Sequence, residues 1–219
     1  MKRKIYCIPG FGTDERIFSN LSVNGELKTL HWFTPFQKES IQQYAQRMSA
    51  GIQEPDPFII GVSFGGMMAI EIDKILPAKQ LVLISSVKCR KEMPLQLRLM
   101  GHLGMNKIFP VKKITESKRI YEIANRRLGA VTAEEKKLAN AYRRNVDLHY
   151  VNWSFHQILH WENKSYPANI VHIHGDKDRI FPLKSVQPTD VIKGGTHMMV
   201  YNRAGEISSV INRLLQATD

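Results

Sequence analysis

Short apolar runs alternate with helically spaced segments near both ends of this chain of 219 residues. Runs of four to seven apolar residues suit buried strands, and apolar residues three or four positions apart suit helices. The predicted strands are Lys4–Ile8, Leu27–Phe33, Phe58–Val62, Gln80–Ile84, Asn169–His174 and Thr189–Ile192, and the predicted helices among them are Ser40–Ile52, Gly66–Leu76 and Ala204–Gln216. Strands that alternate with helices form βαβ units, so the sequence predicts an α/β fold with a mostly parallel sheet and helices on both faces.

The middle of the chain departs from this alternation. Residues 88–164 contain helically spaced segments and no strand pattern, and the predicted helices there are Leu95–Leu103, Lys113–Leu128 and Ala133–Asn145. We therefore expect residues 1–87 and 165–219 to form a sheet core and residues 88–164 to form a helical insertion. The net charge of the chain is +11, and this middle segment alone has 16 Lys and Arg against 7 Asp and Glu. Such an excess indicates either an anionic partner or a solvated basic surface.

The first chemical signal is the run Gly61-Val62-Ser63-Phe64-Gly65, which follows a predicted strand and precedes a predicted helix. A sharp strand-to-helix turn presents its central residue in a strained conformation, and small flanking residues allow neighbouring backbone to pass close by. The hydroxyl of Ser63 would then lie at the carboxyl edge of the sheet, beside a helix amino terminus that favours negative charge. The pattern predicts a nucleophile, and the alternative is an ordinary glycine-rich turn.

A second glycine-containing loop follows the first strand and reads Pro9-Gly10-Phe11-Gly12-Thr13. Such a loop can turn a backbone amide toward a nucleophile on the neighbouring strand. An amide of this loop and the amide of Phe64 would together supply the two donors that stabilise an oxyanion. A plain turn is the competing interpretation.

Two further loops carry an acid and a base. The strand before Gly175 leads into Asp176 and Asp178, and either carboxylate could orient a histidine, although aspartate also caps turns. His197 lies on a glycine-rich loop after the last strand, from which it could reach the nucleophile. The order serine, aspartate, histidine, each after a strand, is the order of an α/β-hydrolase triad.

Composition argues against several other classes. Two cysteines are too few for a disulfide framework, and neither paired cysteines nor an HExxH run predicts a metal site. No apolar stretch approaches the roughly 18 residues of a membrane span. The basic start of the chain is followed by an apolar run that Pro9 ends too early for a signal peptide, so we expect a cytoplasmic protein that needs no cofactor. Nucleic-acid binding is not expected, because no recognised motif accompanies the basic charge.

On these four loops the chain resembles the α/β-hydrolase superfamily over residues 1–87 and 165–219. The resemblance implies a minimal α/β-hydrolase fold, with residues 88–164 as a helical cap. It also implies that the amides of Phe11 and Phe64 form the oxyanion hole. It implies that Ser63 is the nucleophile, His197 the base and Asp178, rather than Asp176, the acid, because the spacing of Gly175, Asp178 and Pro182 matches the family's acid loop. The short interval between Asp178 and His197 predicts a very short or missing helix before the last strand.

The function that this resemblance implies is hydrolysis of a carboxylic ester or thioester through an acyl-enzyme on Ser63. The basic segment suggests an acyl group linked to an acidic carrier protein or to coenzyme A. Trp153 and Met198 are candidate substrate contacts, although aromatic side chains of the segment more often pack its interior. Two alternatives stay open, namely a lyase that uses the same three residues as a base, with arginines holding carboxylates, and a non-catalytic binding protein.

Overall fold

A six-stranded, fully parallel sheet organises the computed structural model, which describes residues 2–104, 118–144 and 147–218. The strand order is β2-β1-β3-β4-β5-β6, and every neighbouring pair is parallel. A parallel sheet places the carboxyl ends of all its strands at one edge. The strands are β1 (Lys4–Ile8), β2 (Glu26–Thr29), β3 (Phe58–Val62), β4 (Gln80–Ile84), β5 (Ile170–Gly175) and β6 (Asp190–Ile192).

The helices flank the sheet and also fill the segment between β4 and β5. In that segment the described residues form helices and turns without a strand. The α-helices are α1 (Ile41–Ser49), α2 (Phe64–Asp73), α3 (Leu95–His102), α4 (Lys118–Leu128), α5 (Ala133–Arg144), α6 (Leu148–His160), α7 (Met199–Asn202) and α8 (Ala204–Thr218).

Alternate side chains of the central strands enter two separate cores. Tyr6 and Ile8 pack with α1 and α2 on one face, whereas Ile5 and Cys7 pack with α8 on the other. All four side chains are fully buried. Because successive strand residues point to opposite faces, continuous apolar runs are what a sheet covered on both sides requires. The predicted fold class, with helices on both faces, is therefore confirmed.

The predicted elements agree with the structure except at their ends. The second strand ends at Thr29 rather than Phe33, and α2 begins at Phe64 rather than Gly66. Of the predicted helix Lys113–Leu128, the structure describes the part from Lys118 onward, and residues 113–117 lie outside the described ranges. Between Asp178 and β6 there is one short 3-10 turn, so the expected loss of a helix there is confirmed.

Hydrogen bonds connect the segment 88–164 to the sheet elements at several points. The indole Nε1 of Trp161 donates to Glu71 of α2 at 2.7 Å, and Trp153 Nε1 donates to the carbonyl of Glu39 at 2.7 Å. The amide of Met198 donates to the carbonyl of Leu128 at 3.1 Å. Among the described residues, none of the helices has the length and apolar character needed to span a membrane.

Candidate functional site

The four loops singled out in the sequence meet at the carboxyl edge of the sheet. Ser63 follows β3, the loop from Gly10 to Thr13 follows β1, Asp178 follows β5, and His197 follows β6. In the sheet, β3 lies between β1 and β4, so the β1 loop reaches Ser63 from one side and the β5 and β6 loops reach it from the other. The parallel register alone therefore gathers residues that are up to 187 positions apart, from Gly10 to His197.

Ser63 occupies a strained turn between β3 and α2. Its φ of 53° and ψ of −118° lie in a region that residues with side chains rarely adopt. Close backbone contacts explain the flanking glycines, because a Cβ on Gly61 would lie 2.4 Å from the carbonyl oxygen of Gly65, and one on Gly65 would lie 2.3 Å from that of Ile8. The turn is held by Ser86, whose hydroxyl donates to the carbonyl oxygen of Ser63 at 2.7 Å.

Ser63, His197 and Asp178 form a continuous hydrogen-bonded series. Ser63 Oγ lies 2.9 Å from His197 Nε2, and His197 Nδ1 lies 2.8 Å from Asp178 Oδ2. The carboxylate fixes the proton on Nδ1, which leaves Nε2 as the acceptor for the serine hydroxyl. This arrangement can transfer a proton from Ser63 to His197 while Asp178 stabilises the imidazolium that results.

The environment of Asp178 keeps its carboxylate ionised. Its Oδ1 accepts hydrogen bonds from the amides of Ile180 at 2.7 Å and Phe181 at 2.9 Å. Burial raises the pKa of Asp178, but the charge and hydrogen bond of His197, together with the other donors, outweigh it, so the pKa lies below its ordinary value. Asp176 has another role, because its Oδ1 accepts from the amide of Gly194 at 2.6 Å.

Two further histidines, His172 and His174, lie fully buried behind Asp178. His174 Nε2 is 2.7 Å from the carbonyl oxygen of Phe181, which can only accept, so this nitrogen carries the proton. His172 Nε2 lies 3.2 Å from His174 Nδ1 and donates to it when both rings are neutral. Burial lowers the pKa of both rings. The pKa of His172 falls to about 3, because the charges of His174 and Lys88 lower it further.

The peptide between Gly10 and Phe11 is held in one orientation beside Ser63. The carbonyl oxygen of Gly10 accepts three hydrogen bonds at 3.1 Å, from the amide and the hydroxyl of Thr13 and from Trp32 Nε1. In a trans peptide the N–H points opposite to the C=O, so these donors turn the amide of Phe11 away from themselves. A Cβ on Gly10 would lie 3.5 Å from Ser63 Cβ, which places this peptide next to the serine.

The other predicted oxyanion donor, the amide of Phe64, belongs to the first residue of α2 and therefore has no acceptor within the helix. The amide of Phe64 thus belongs to the residue after Ser63, and the amide of Phe11 belongs to the peptide that lies next to Ser63. Trp32, which the sequence gave no reason to select, both supports the Gly10 carbonyl and stacks on the ring of Phe64 with 5.2 Å between ring centres.

The two predicted substrate contacts lie on opposite sides of the sheet. Trp153 is buried in the core that contains α1 and α2, where its ring stacks on Tyr44 with 4.4 Å between centres. Met198 is buried in the other core. Phe11 is partly exposed and stacks on Tyr150 at 6.4 Å. Trp153 and Met198 as substrate contacts stay predictions.

Two cavities border the loops that carry the site, although Ser63 and His197 line neither of them. One of about 290 Å³ lies on the β1 side, where Gly12, Trp32 and Tyr150 are among its lining residues. The other, of about 1250 Å³, lies on the β5 and β6 side and is lined in part by Asp178 and Thr196. Within the described ranges, no cluster of three or more histidine, cysteine or acidic side chains has the arrangement of a metal site.

Comparison with known proteins gives a fold-level answer. No protein family model matches the chain, and no curated protein matches its sequence. Solved structures do match. An esterase from Thermogutta terrifontis, solved with malate bound, has a TM-score of 0.73 at 13% identity, over 99% of this chain and 90% of that one.

Two other structures extend the comparison. The epoxide hydrolase of Bacillus megaterium, solved with an inhibitor, gives a TM-score of 0.70 at 11% identity, covering 99% of this chain and 94% of that one. ClbQ from the colibactin NRPS/PKS pathway gives 0.64 at 16% identity, covering 100% and 98%. At these identities the likeness concerns the backbone arrangement alone. The chain has the α/β-hydrolase fold.

Proposed function

We propose that this protein is a serine hydrolase that cleaves a carboxylic ester or thioester through an acyl-enzyme on Ser63. The observation that carries the proposal is the series Ser63–His197–Asp178, with separations of 2.9 and 2.8 Å at the carboxyl edge of the sheet. A serine that needs activation by a base, and a base oriented by a buried carboxylate, are the parts that nucleophilic acyl transfer requires.

In the first half of the reaction, Ser63 Oγ attacks the substrate carbonyl carbon as His197 Nε2 takes its proton. The amides of Phe11 and Phe64 donate to the oxyanion that forms, and each such donor contributes on the order of 3 kcal/mol to the barrier reduction. His197 then returns the proton to the departing oxygen or sulfur, and the acyl group stays on Ser63. In the second half, His197 removes a proton from water as the water oxygen attacks the acyl-enzyme, and His197 then gives this proton to Ser63 Oγ as the acyl–oxygen bond breaks and the acid leaves.

The proposal of an ester or thioester substrate rests on the serine nucleophile and on the activities of the proteins whose structures are similar. An esterase shares the fold, and so does an epoxide hydrolase. The serine and its base are the groups that acyl transfer uses, and their contact supports catalysis over the binding protein considered above. The lyase would use the same contact, and the esterase among the neighbouring structures favours the hydrolase over it. We also propose that residues 88–164 form the cap over the site, and that their excess of 16 Lys and Arg over 7 Asp and Glu favours an acyl group linked to an acidic carrier.

Covalent labelling tests the proposal directly. A fluorophosphonate should add one adduct to the parent protein, seen by intact mass, and none to Ser63→Ala. Ser209→Ala is a matched control, because Ser209 lies on the exposed side of α8 and donates to the carbonyl of Gly205. Release of p-nitrophenol from esters of acetate to decanoate should be lost in Ser63→Ala and retained in Ser209→Ala.

A folded parent protein that takes no adduct and turns over none of these esters would contradict the hydrolase. Circular dichroism of each variant separates loss of chemistry from loss of fold. Turnover that survives in Ser63→Ala would equally contradict the role of Ser63, since no acyl-enzyme can form on that variant.

A further inference from the structure

Basic side chains border the larger of the two cavities described above. Five basic side chains line its volume of about 1250 Å³. They come from two elements of the segment 88–164 and from the loop after β5, and they are Arg126, Lys136, Arg144, Lys177 and Arg179. Because these elements are distant in sequence, it is the fold that gathers the charge around one space.

These cations have no anionic partner among the described residues. In the part of the chain that the structure describes, none of the five forms an ion pair. Three acids also line the cavity, Glu122, Asp176 and Asp178, so the lining carries five basic and three acidic side chains, an excess of two positive charges. Lone surface cations are ordinary, whereas an excess of two positive charges around one cavity creates a positive potential that a doubly charged phosphate would neutralise.

The position of the cavity indicates which part of a substrate would enter it. His197 Nε2 returns the proton to the leaving atom, so the leaving group departs on the side of the histidine loop. Thr196, which precedes His197 in sequence, and Asp178, which contacts it, line this cavity, whereas His197 and Ser63 do not, so a charged group bound there would lie beyond the reacting atoms. The smaller cavity lies beside Gly12 and Trp32, on the side of the oxyanion loop, and is left for the acyl group.

We propose that this basic cavity binds the phosphate groups of the leaving part of the substrate, so that the enzyme acts on thioesters of a phosphorylated thiol. The inference rests on the proposed function and narrows it. Guanidinium groups match phosphate oxygens in pairs, and an excess of two positive charges suits a phosphate group better than a single carboxylate. Coenzyme A and the phosphopantetheine arm of a carrier protein share this chemistry.

Matched variants test the site. The double variant Arg126→Gln/Lys136→Gln removes two cavity cations, and Arg127→Gln/Lys137→Gln removes two exposed cations that neighbour them on the same helices but do not line the cavity. The substrates are a coenzyme A thioester, the corresponding phosphopantetheine thioester and the uncharged N-acetylcysteamine thioester. All carry the acyl chain that gives the fastest p-nitrophenyl ester turnover.

The cavity variant should raise KM for the phosphorylated thioesters about tenfold and leave the N-acetylcysteamine thioester unchanged, whereas the control variant should change neither more than about twofold. Added salt should raise the same KM in the parent. An equal rise in KM for the coenzyme A and phosphopantetheine thioesters indicates that the cations contact the phosphate that both substrates share. A larger rise for the coenzyme A thioester indicates that the cations also contact its nucleotide phosphates.

Two results would overturn the inference. One is a parent that shows no lower KM for phosphorylated than for uncharged thioesters, and the other is an equal effect of the two double variants. Binding of free coenzyme A, measured by calorimetry, distinguishes an error in the assignment of the cavity from an error in the proposed hydrolase function. If p-nitrophenyl esters are hydrolysed but coenzyme A binds all three proteins alike, the cavity assignment alone is wrong. If coenzyme A binds the parent and not the cavity variant while no ester is hydrolysed, the hydrolase is wrong and the anion site stands.

Discussion

The imidazole of His174 lies directly behind the carboxylate of Asp178, with 3.6 Å between Nε2 and Oδ2. The same Nε2 donates to the carbonyl of Phe181, whose amide donates to Asp178 Oδ1. His174 therefore fixes the peptide that holds the acid, and we expect it to be a positioning residue for the proposed reaction.

Replacing His174 by Phe should lower kcat about tenfold with little change in KM, because a carboxylate that is displaced by a fraction of an ångström orients the base less well. The change also leaves the Phe181 carbonyl buried without a donor, which should lower the free energy of unfolding by about 1–3 kcal/mol. His174→Gln can donate from nearly the same position and should recover most of both losses. Steady-state kinetics and urea denaturation measure them. A Gln variant as impaired as the Phe variant would argue for a packing role alone.

Acid stability should depend on His172. Its pKa of about 3 in the folded protein lies below the ordinary value of 6.5, so between these pH values the unfolded chain binds the extra proton. The contribution of His172 to the free energy of unfolding should consequently have its full value above pH 6.5. It should fall as the pH drops toward 3, by up to about 1.4 kcal/mol per pH unit for this one proton.

The variant His172→Gln should flatten that slope by about one proton, as measured by urea denaturation at a series of pH values. His102→Gln serves as the control, because His102 is exposed at the end of α3 and its replacement should keep the parent slope. An unchanged slope in His172→Gln would show that other groups set the acid limit.

The two aspartates of the β5 loop should differ sharply in importance. Asp178→Asn removes the charge that stabilises the imidazolium and allows the wrong tautomer of His197, so kcat should fall on the order of 10³–10⁴-fold. Asp176→Asn keeps an oxygen acceptor for the Gly194 amide and should stay within about twofold of the parent. Ester turnover measures both, and similar losses in the two variants would remove Asp178 from its proposed role.

Trp32 should affect the stabilisation of the oxyanion through its hydrogen bond to the Gly10 carbonyl. Trp32→Phe keeps an aromatic ring against Phe64 but removes the donor to the Gly10 carbonyl, and the freed peptide should lower kcat about tenfold, less than loss of an oxyanion donor itself. Trp161→Phe is the control, since it also loses an indole hydrogen bond, to Glu71, away from the serine. It should lower stability without lowering kcat in the folded enzyme.

The sheet and the serine loop could be predicted because their signals are local. Continuous apolar strands such as Phe58–Val62 indicate burial on both faces, and glycines at 61 and 65 indicate a crowded turn at Ser63. Helix α2 begins two residues earlier than expected because Gly65, which discourages a helix in isolation, is required there by the neighbouring backbone of Ile8 and Pro9.

Residues whose role depends on tertiary contact could not be predicted in the same way. Asp176 and Asp178 are both plausible acids in sequence, and the fold distinguishes them by giving one a histidine and the other a backbone amide. Trp32 was expected to lie within a strand, but β2 ends at Thr29 and the indole then turns to the Gly10 carbonyl. The cavity cations come from separate helices and a loop, so spacing along the chain gives no sign that they meet.

Gly129 has a φ of +78°, and a Cβ there would lie 2.3 Å from Thr196 Cβ, one residue before His197. Together with the hydrogen bond from Met198 to the Leu128 carbonyl, this contact joins the segment 88–164 to the loop of the base. The segment is therefore not a freely exchangeable module. A chimera that transplants helices from a related fold needs a glycine facing Thr196, and without one the graft would displace the histidine even if every helix were correctly folded.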